Sequence, residues 1–193
     1  MTPLTKYETK LAVSAFKTQA ATLGTTVATF WATLGVNAAL GGALFKFGVI
    51  PRTIVGLRGI LFAPFIHGSV EHLLANSIPF LVLGWLVMLR GRKYFLPVTL
   101  FAMLGSGGLA WLLGAPGSVH VGASGVIFGY LGFLMLTGWF TRRFWTILLS
   151  LAVTVAWGGV VFGVLPTQPG VSWLSHLGGF VAGIYAAKRL RDR

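Results

Sequence analysis

Apolar residues run along this chain in six long stretches, roughly 22–45, 70–89, 94–114, 122–140, 144–165 and 172–187. A run of about 20 apolar residues is the length at which an α-helix crosses a hydrocarbon core. The pattern therefore predicts an all-α membrane protein, a bundle of six transmembrane helices. The polar punctuation orients it. Arg90, Arg92 and Lys93, then Arg142 and Arg143, make two connections basic, as do Lys6, Lys10 and Lys17 at the N-terminus and Lys188, Arg189, Arg191 and Arg193 in the tail. Connections 115–121 and 163–171 carry no Lys or Arg. Basic segments stay inside, so both termini are expected to be cytoplasmic. Residues 1–21 then form a cytoplasmic N-terminal segment and 22–193 the membrane domain with a short basic tail. The first apolar run is too long for a removed signal peptide, which favours an uncleaved helix. Connection 46–69 departs from the charge rule because Lys46, Arg52 and Arg58 fall outside. Its Phe62, Pro64, Phe65 and Ile66 predict a structured loop resting partly in the interface.

Composition supports this reading. Of 193 residues, 55% are hydrophobic and 9% charged, a balance rare in soluble domains. The formal charge of +12 comes from 15 basic residues clustered between apolar runs, opposed by Glu8, Glu71 and Asp192. That clustering fits the positive-inside pattern and argues against nucleic acid as a partner. Absence of cysteine removes disulfides and thiolate metal sites. An aspartyl protease needs two carboxylates within reach, and the sole aspartate, Asp192, lies in the tail. Glu71 precedes His72 without the second histidine of an H-E-x-x-H zinc site.

Helices two, four and six run from outside to inside, and each carries polar residues near its start: His72 and Asn76, Ser124, and His176. At a rise of about 1.5 Å per residue, Ser124 to Arg142, His72 to Arg90 and His176 to Lys188 span roughly 27, 27 and 18 Å. All three positions fall in the outer half of a core about 30 Å thick, with tilt or snorkelling absorbing the shorter figure. A serine hydroxyl becomes a nucleophile when a base accepts its proton, and neutral imidazole is the usual base. Gly125, Gly129 and Gly132 follow Ser124, while Gly179 and Gly183 follow His176, giving each helix a smooth face for close approach. Packing alone would account for these glycines equally well.

Acyl transfer also needs donors aimed at an oxyanion. Ser124 sits at a helix start, where amides lack internal partners, and Gly122 permits close approach. His72 and Asn76 share a helix face and offer side-chain donors, or else an interhelical bond that glues the bundle. Ser106 is a rival nucleophile, but inside helix three its neighbouring amides are already bonded. His67 is expected to end the first loop and bond that loop's backbone. His120 reads as a solvated loop histidine, and Glu71 as a residue that caps or solvates the start of helix two. With no carboxylate to orient the imidazole, a serine enzyme here would work as a dyad, with the Phe128 ring supporting His176 or serving only as core.

The pattern His67-x4-His72-x3-Asn76, then Gly122-Ala123-Ser124-Gly125, then His176 with Gly179 and Gly183, resembles the rhomboid intramembrane serine proteases from about residue 22 onward. The resemblance implies that Ser124 is the nucleophile and His176 the general base. It also implies that His72, Asn76 and the Ser124 backbone amide line the oxyanion hole, with Gly122, Phe128 and His67 in support. Substrates would be transmembrane helices of other proteins, cut near their outer end in contact with membrane lipid, without metal or cofactor. The expected location is the plasma membrane of a prokaryote, and nothing in the sequence fixes an oligomeric state. Helix five, with Trp145 and Trp157, is the expected mobile wall by analogy. Two departures stand out. Leu57-Arg58 replaces the Trp-Arg common in the first loop, and Phe128 replaces a frequent Tyr. A polar-pathway transporter and a client-binding protein that does not cut are the competing classes.

Overall fold

A computed structural model describes residues 5–168 and 170–191. Asp192 and Arg193 of the expected tail, and the first four residues of the N-terminal segment, lie outside the described residues. These residues form seven α-helices: α1 (Lys6–Ala39), α2 (Gly59–Phe62), α3 (Val70–Arg90), α4 (Arg92–Leu113), α5 (Ser124–Thr141), α6 (Phe144–Trp157) and α7 (Trp173–Arg189). No strand forms among them. An isolated antiparallel bridge joins Val49 to His120.

Among the described residues, four segments are long and apolar enough to cross a membrane by length and composition, against the six expected: Val70–Arg90, Arg92–Leu113, Ser124–Thr141 and Phe144–Val164, with α1 and α7 not among them. Large apolar side chains such as Ile78, Leu96 and Val155 are exposed on the outside of the bundle, as hydrocarbon allows and water penalises. Trp139, Phe144 and Trp145 are also exposed and flank Arg142 and Arg143, the arrangement of an aromatic belt beside a basic loop.

The boundaries have local causes. Of the first apolar segment, expected at 22–45, residues 22–39 are the later part of a longer helix and 40–45 lie beyond its end. Thr5 accepts from the Glu8 amide while Glu8 reaches back to the Thr5 amide, a capping box that starts α1 at Lys6. The helix stops at Ala39, and the chain then turns through Gly41 and Gly42. Ser69 caps α3 by accepting from the His72 amide at 3.1 Å. Glu71 is exposed beside it, with hydrogen bonds to its own amide and to Ser69, at the helix start it was expected to cap or solvate. Gly91 alone separates α3 from α4, at φ 155°. The expected fifth helix, 144–165, is α-helical only to Trp157. From Gly158 to Val164 it tightens into a 3-10 turn, because consecutive glycines and valines support an α-helix poorly.

Helix α5 is the hub, packed against α3, α4, α6 and α7. Its Tyr130 is fully buried, and its hydroxyl meets Thr99 Oγ1 at 2.7 Å while Thr99 donates to the Phe95 carbonyl at 2.6 Å. The closest approach is between α5 and α7. A Cβ added at Gly179 would overlap the Gly125 carbonyl, and one at Gly183 the Gly129 carbonyl. On the other flank of α7, Gly178 faces Gly105 in the same way. Helix α7 is thus wedged between α4 and α5 with backbone against backbone. Substituting Gly179 with leucine should cost about 1–3 kcal/mol or more through overpacking, seen as a melting temperature lowered by several degrees in detergent. Gly108, with nothing within 4 Å of an added Cβ, should tolerate alanine without loss. Equal melting of wild type and Gly179→Leu would contradict the seam.

Candidate active site

Ser124 is the first residue of α5, and three contacts fix the turn before it. Gly122 has φ 114°, a region that favours glycine. A Cβ there would also lie 2.7 Å from Cε1 and Nε2 of His72. The Gly122 amide donates to the Ala63 carbonyl at 2.9 Å. The Ala123 amide donates to Nε2 of His67 at 3.4 Å. His67 is fully buried, and burial, helped by the neighbouring His72, pushes its pKa down to about 4. A neutral ring can accept at Nε2. His67 therefore holds the turn that presents Ser124, in addition to meeting the Phe65 backbone of the first loop as expected.

His176 stands one turn into α7 and is buried. Its Nε2 lies 2.8 Å from Ser124 Oγ, and its Nδ1 lies 2.8 Å from the Gly163 carbonyl. A carbonyl can only accept, so Nδ1 carries the proton and Nε2 presents a lone pair to the serine hydroxyl. The Phe128 ring stacks on the imidazole at 4.2 Å between centroids, 9° from parallel. Gly163 has no room for a side chain, since an added Cβ would sit 2.8 Å from Phe128 Cζ and 3.6 Å from His176 Nδ1.

His72 and Asn76 lie on the far side of the Gly122 turn. Asn76 is buried, and its Nδ2 donates to the His72 carbonyl at 2.8 Å. The same nitrogen lies 3.9 Å from the Cβ position of Gly122, so one amide hydrogen secures the side chain and a second is left to face the turn. The helix gives its first amides no internal acceptor, and Ser124 supplies the first of these. Ser106 is buried in α4 with its Oγ against Gly125. It lines a cavity of about 10 Å³ together with His120, Gly122, Ser124 and Ser175, enough for roughly one water molecule.

Comparison with known proteins decides the family. The Rhomboid domain family matches residues 54–193. The chain belongs to the rhomboid family. This rhomboid is 42% identical over 176 residues to an uncharacterized protein of Mycobacterium tuberculosis, covering 85% of this chain and 73% of that protein. It is 45% identical over 139 residues to an uncharacterized protein of Mycobacterium leprae, 68% of this chain and 55% of the other. RHOMBOID-like protein 4 of Arabidopsis thaliana is 34% identical over 140 residues, 69% of this chain and 34% of the plant protein. Family membership and the apolar helices make it an integral membrane protein. Helix α1 precedes the matched residues.

The rhomboid's departures now have a structural account. Phe128 keeps the stacked ring without a hydroxyl. In the first loop, Arg58 donates to the Lys46 carbonyl at 2.8 Å and lies 4.4 Å over the Phe47 ring, which ties the loop without tryptophan. In the segment expected to be a mobile wall, Ser150 Oγ donates to the Leu134 carbonyl at 2.7 Å and accepts from the Gly138 amide at 2.9 Å, joining α6 to α5. The Gly163 carbonyl was missed at the sequence level because a backbone acceptor leaves no residue signature. The run Gly158, Gly159 and Gly163 is the trace that marks where the helix would loosen to expose one. Nitrogen-15 NMR of the histidine rings at neutral pH should show His176 protonated at Nδ1. A predominantly Nε2-protonated ring would contradict this geometry.

Proposed function

We propose that this rhomboid is an intramembrane serine endopeptidase that hydrolyses peptide bonds in or near transmembrane helices, using a Ser124–His176 dyad. The observation that carries the reading is the imidazole held between Ser124 Oγ and the Gly163 carbonyl, each at 2.8 Å. Ser124 gives its proton to His176 Nε2 as Oγ attacks the substrate carbonyl. The imidazolium then protonates the leaving amine, and an acyl-enzyme remains. Water attacks that ester with His176 again as base, and the cavity beside Ser124 has room for one. The developing oxyanion is stabilised by the Ser124 amide with His72 and Asn76. Gly122 leaves those donors access, Phe128 fixes the ring plane, and His67 fixes the turn.

The Gly163 carbonyl accepts a hydrogen bond from imidazolium as well as from imidazole, so it orients the base in both states. It cannot take the proton away. No residue in this scheme calls for a metal or cofactor. We further propose six crossings with both termini cytoplasmic, a topology that would put the dyad in the outer half of a prokaryotic plasma membrane, where the scissile bonds of transmembrane partners would lie. The hydrogen-bonded dyad favours cleavage over a client-binding or transport role, neither of which needs an activated hydroxyl.

Purified protein in detergent or liposomes should cleave a model transmembrane substrate. Ser124→Ala should lower kcat by at least about 10³-fold while leaving the melting temperature close to wild type. Undiminished cleavage by that variant would remove Ser124 from the mechanism.

A further inference from the structure

His120 is not the solvated loop residue its sequence position suggests. Its main chain forms the bridge to Val49, with both hydrogen bonds at 2.9 Å, and its ring is half-buried between two hydroxyls. Nε2 lies 3.0 Å from Ser118 Oγ, and Nδ1 lies 2.6 Å from Ser172 Oγ. Ser172 Oγ is in turn 2.7 Å from Ser175 Oγ. The direction of the chain can be assigned. Ser118 spends its proton on the Ala115 carbonyl at 2.7 Å, so it accepts from Nε2. Burial holds His120 below the usual histidine range, which leaves Nδ1 as the acceptor from Ser172 and the Ser172 oxygen as the acceptor from Ser175.

This chain ends at the helix that carries the base. Ser172 is the N-cap of α7, yet its side chain caps no amide. A serine there ordinarily bonds the N2 or N3 amide. Its hydroxyl is diverted to His120 instead. The Ser172 carbonyl accepts from the His176 amide at 3.1 Å, so the tether and the base share one helical turn. Two residues after His120, the same connection reaches Gly122 and the turn before Ser124. His120 thus joins, within one side chain and one peptide unit, the first loop, the connection into α5 and the start of α7.

We infer that His120 is a positioning residue for the dyad: its bond to Ser172 holds the first turn of α7, and with it His176, against the turn that presents Ser124. The inference rests on the protease reading above. A displacement of the base by a fraction of an ångström is enough to slow chemistry without altering how substrate binds.

The test separates kcat from KM for cleavage of a model transmembrane substrate, alongside melting temperature and labelling by a fluorophosphonate. His120→Phe keeps a ring and loses both hydrogen bonds. Ser172→Ala removes the α7 partner alone. Each should lower kcat about 10-fold or more with KM within about twofold. The double variant should be no slower than the worse single one. His120→Asn, which retains a polar group near the Nδ1 position, should recover part of the rate. Should His120→Phe fail to fold, Ser172→Ala and His120→Asn carry the comparison. Variants as fast as a reactive wild type, or losses that multiply in the double variant, would overturn the inference alone. A wild type inert to both substrate and fluorophosphonate would overturn the protease reading and this inference with it.

Discussion

Backbone contact between α5 and α7 is the constraint on which the site depends. In a bilayer, lipid chains are as apolar as the helices, so association rests on close packing and hydrogen bonds rather than on escape from water. Gly125 and Gly129 meet Gly179 and Gly183 with no space for a Cβ between them. Ser124 directly precedes the first of these glycines, and His176 lies three residues before its partner. The end of the seam where both helices begin is therefore where hydroxyl and imidazole come within 2.8 Å. A wider helix separation would leave both residues in place along the chain and break the bond between them.

The seam brings the pair together, and neutral groups then orient it. A buried carboxylate would be costly at membrane depth, and this chain has three acids in all. The Gly163 carbonyl supplies an acceptor without net charge, and the parallel Phe128 ring confines the imidazole plane. The same economy recurs around Ser124, where a neutral His67 holds the Ala123 amide and Gly122 is seated against His72. These contacts pair the ring nitrogens of His176 and Nε2 of His67 with neutral groups rather than ions, which keeps desolvation modest.

Much of this was written in the apolar pattern and in the spacing of a few polar residues. Helices α3, α4, α5 and α7 begin and end within about two residues of the apolar stretches, because charge or glycine marks their ends. Helix α1 was legible only in its second half, since a polar helix stabilised by a capping box has no hydropathy signature. The end of α6 was misread because glycine and valine are apolar and still poor α-helix formers. Ser124, His72, Asn76 and His176 could be singled out because polar residues in apolar helices are few. The contact of His67 with the Ala123 amide and the partners of His120 could not, because they depend on which distant segments meet. The orienting carbonyl of Gly163 was hidden for the stronger reason that every residue has one.

The central claim is that the fold activates one serine through one histidine. Reaction with a fluorophosphonate, located by mass spectrometry, tests it without any assumption about substrate. The account predicts that wild type is labelled at Ser124 and that His176→Ala, folded by its melting temperature, is not. Equal labelling of Ser124 in both proteins, or labelling at Ser106 instead, would contradict it.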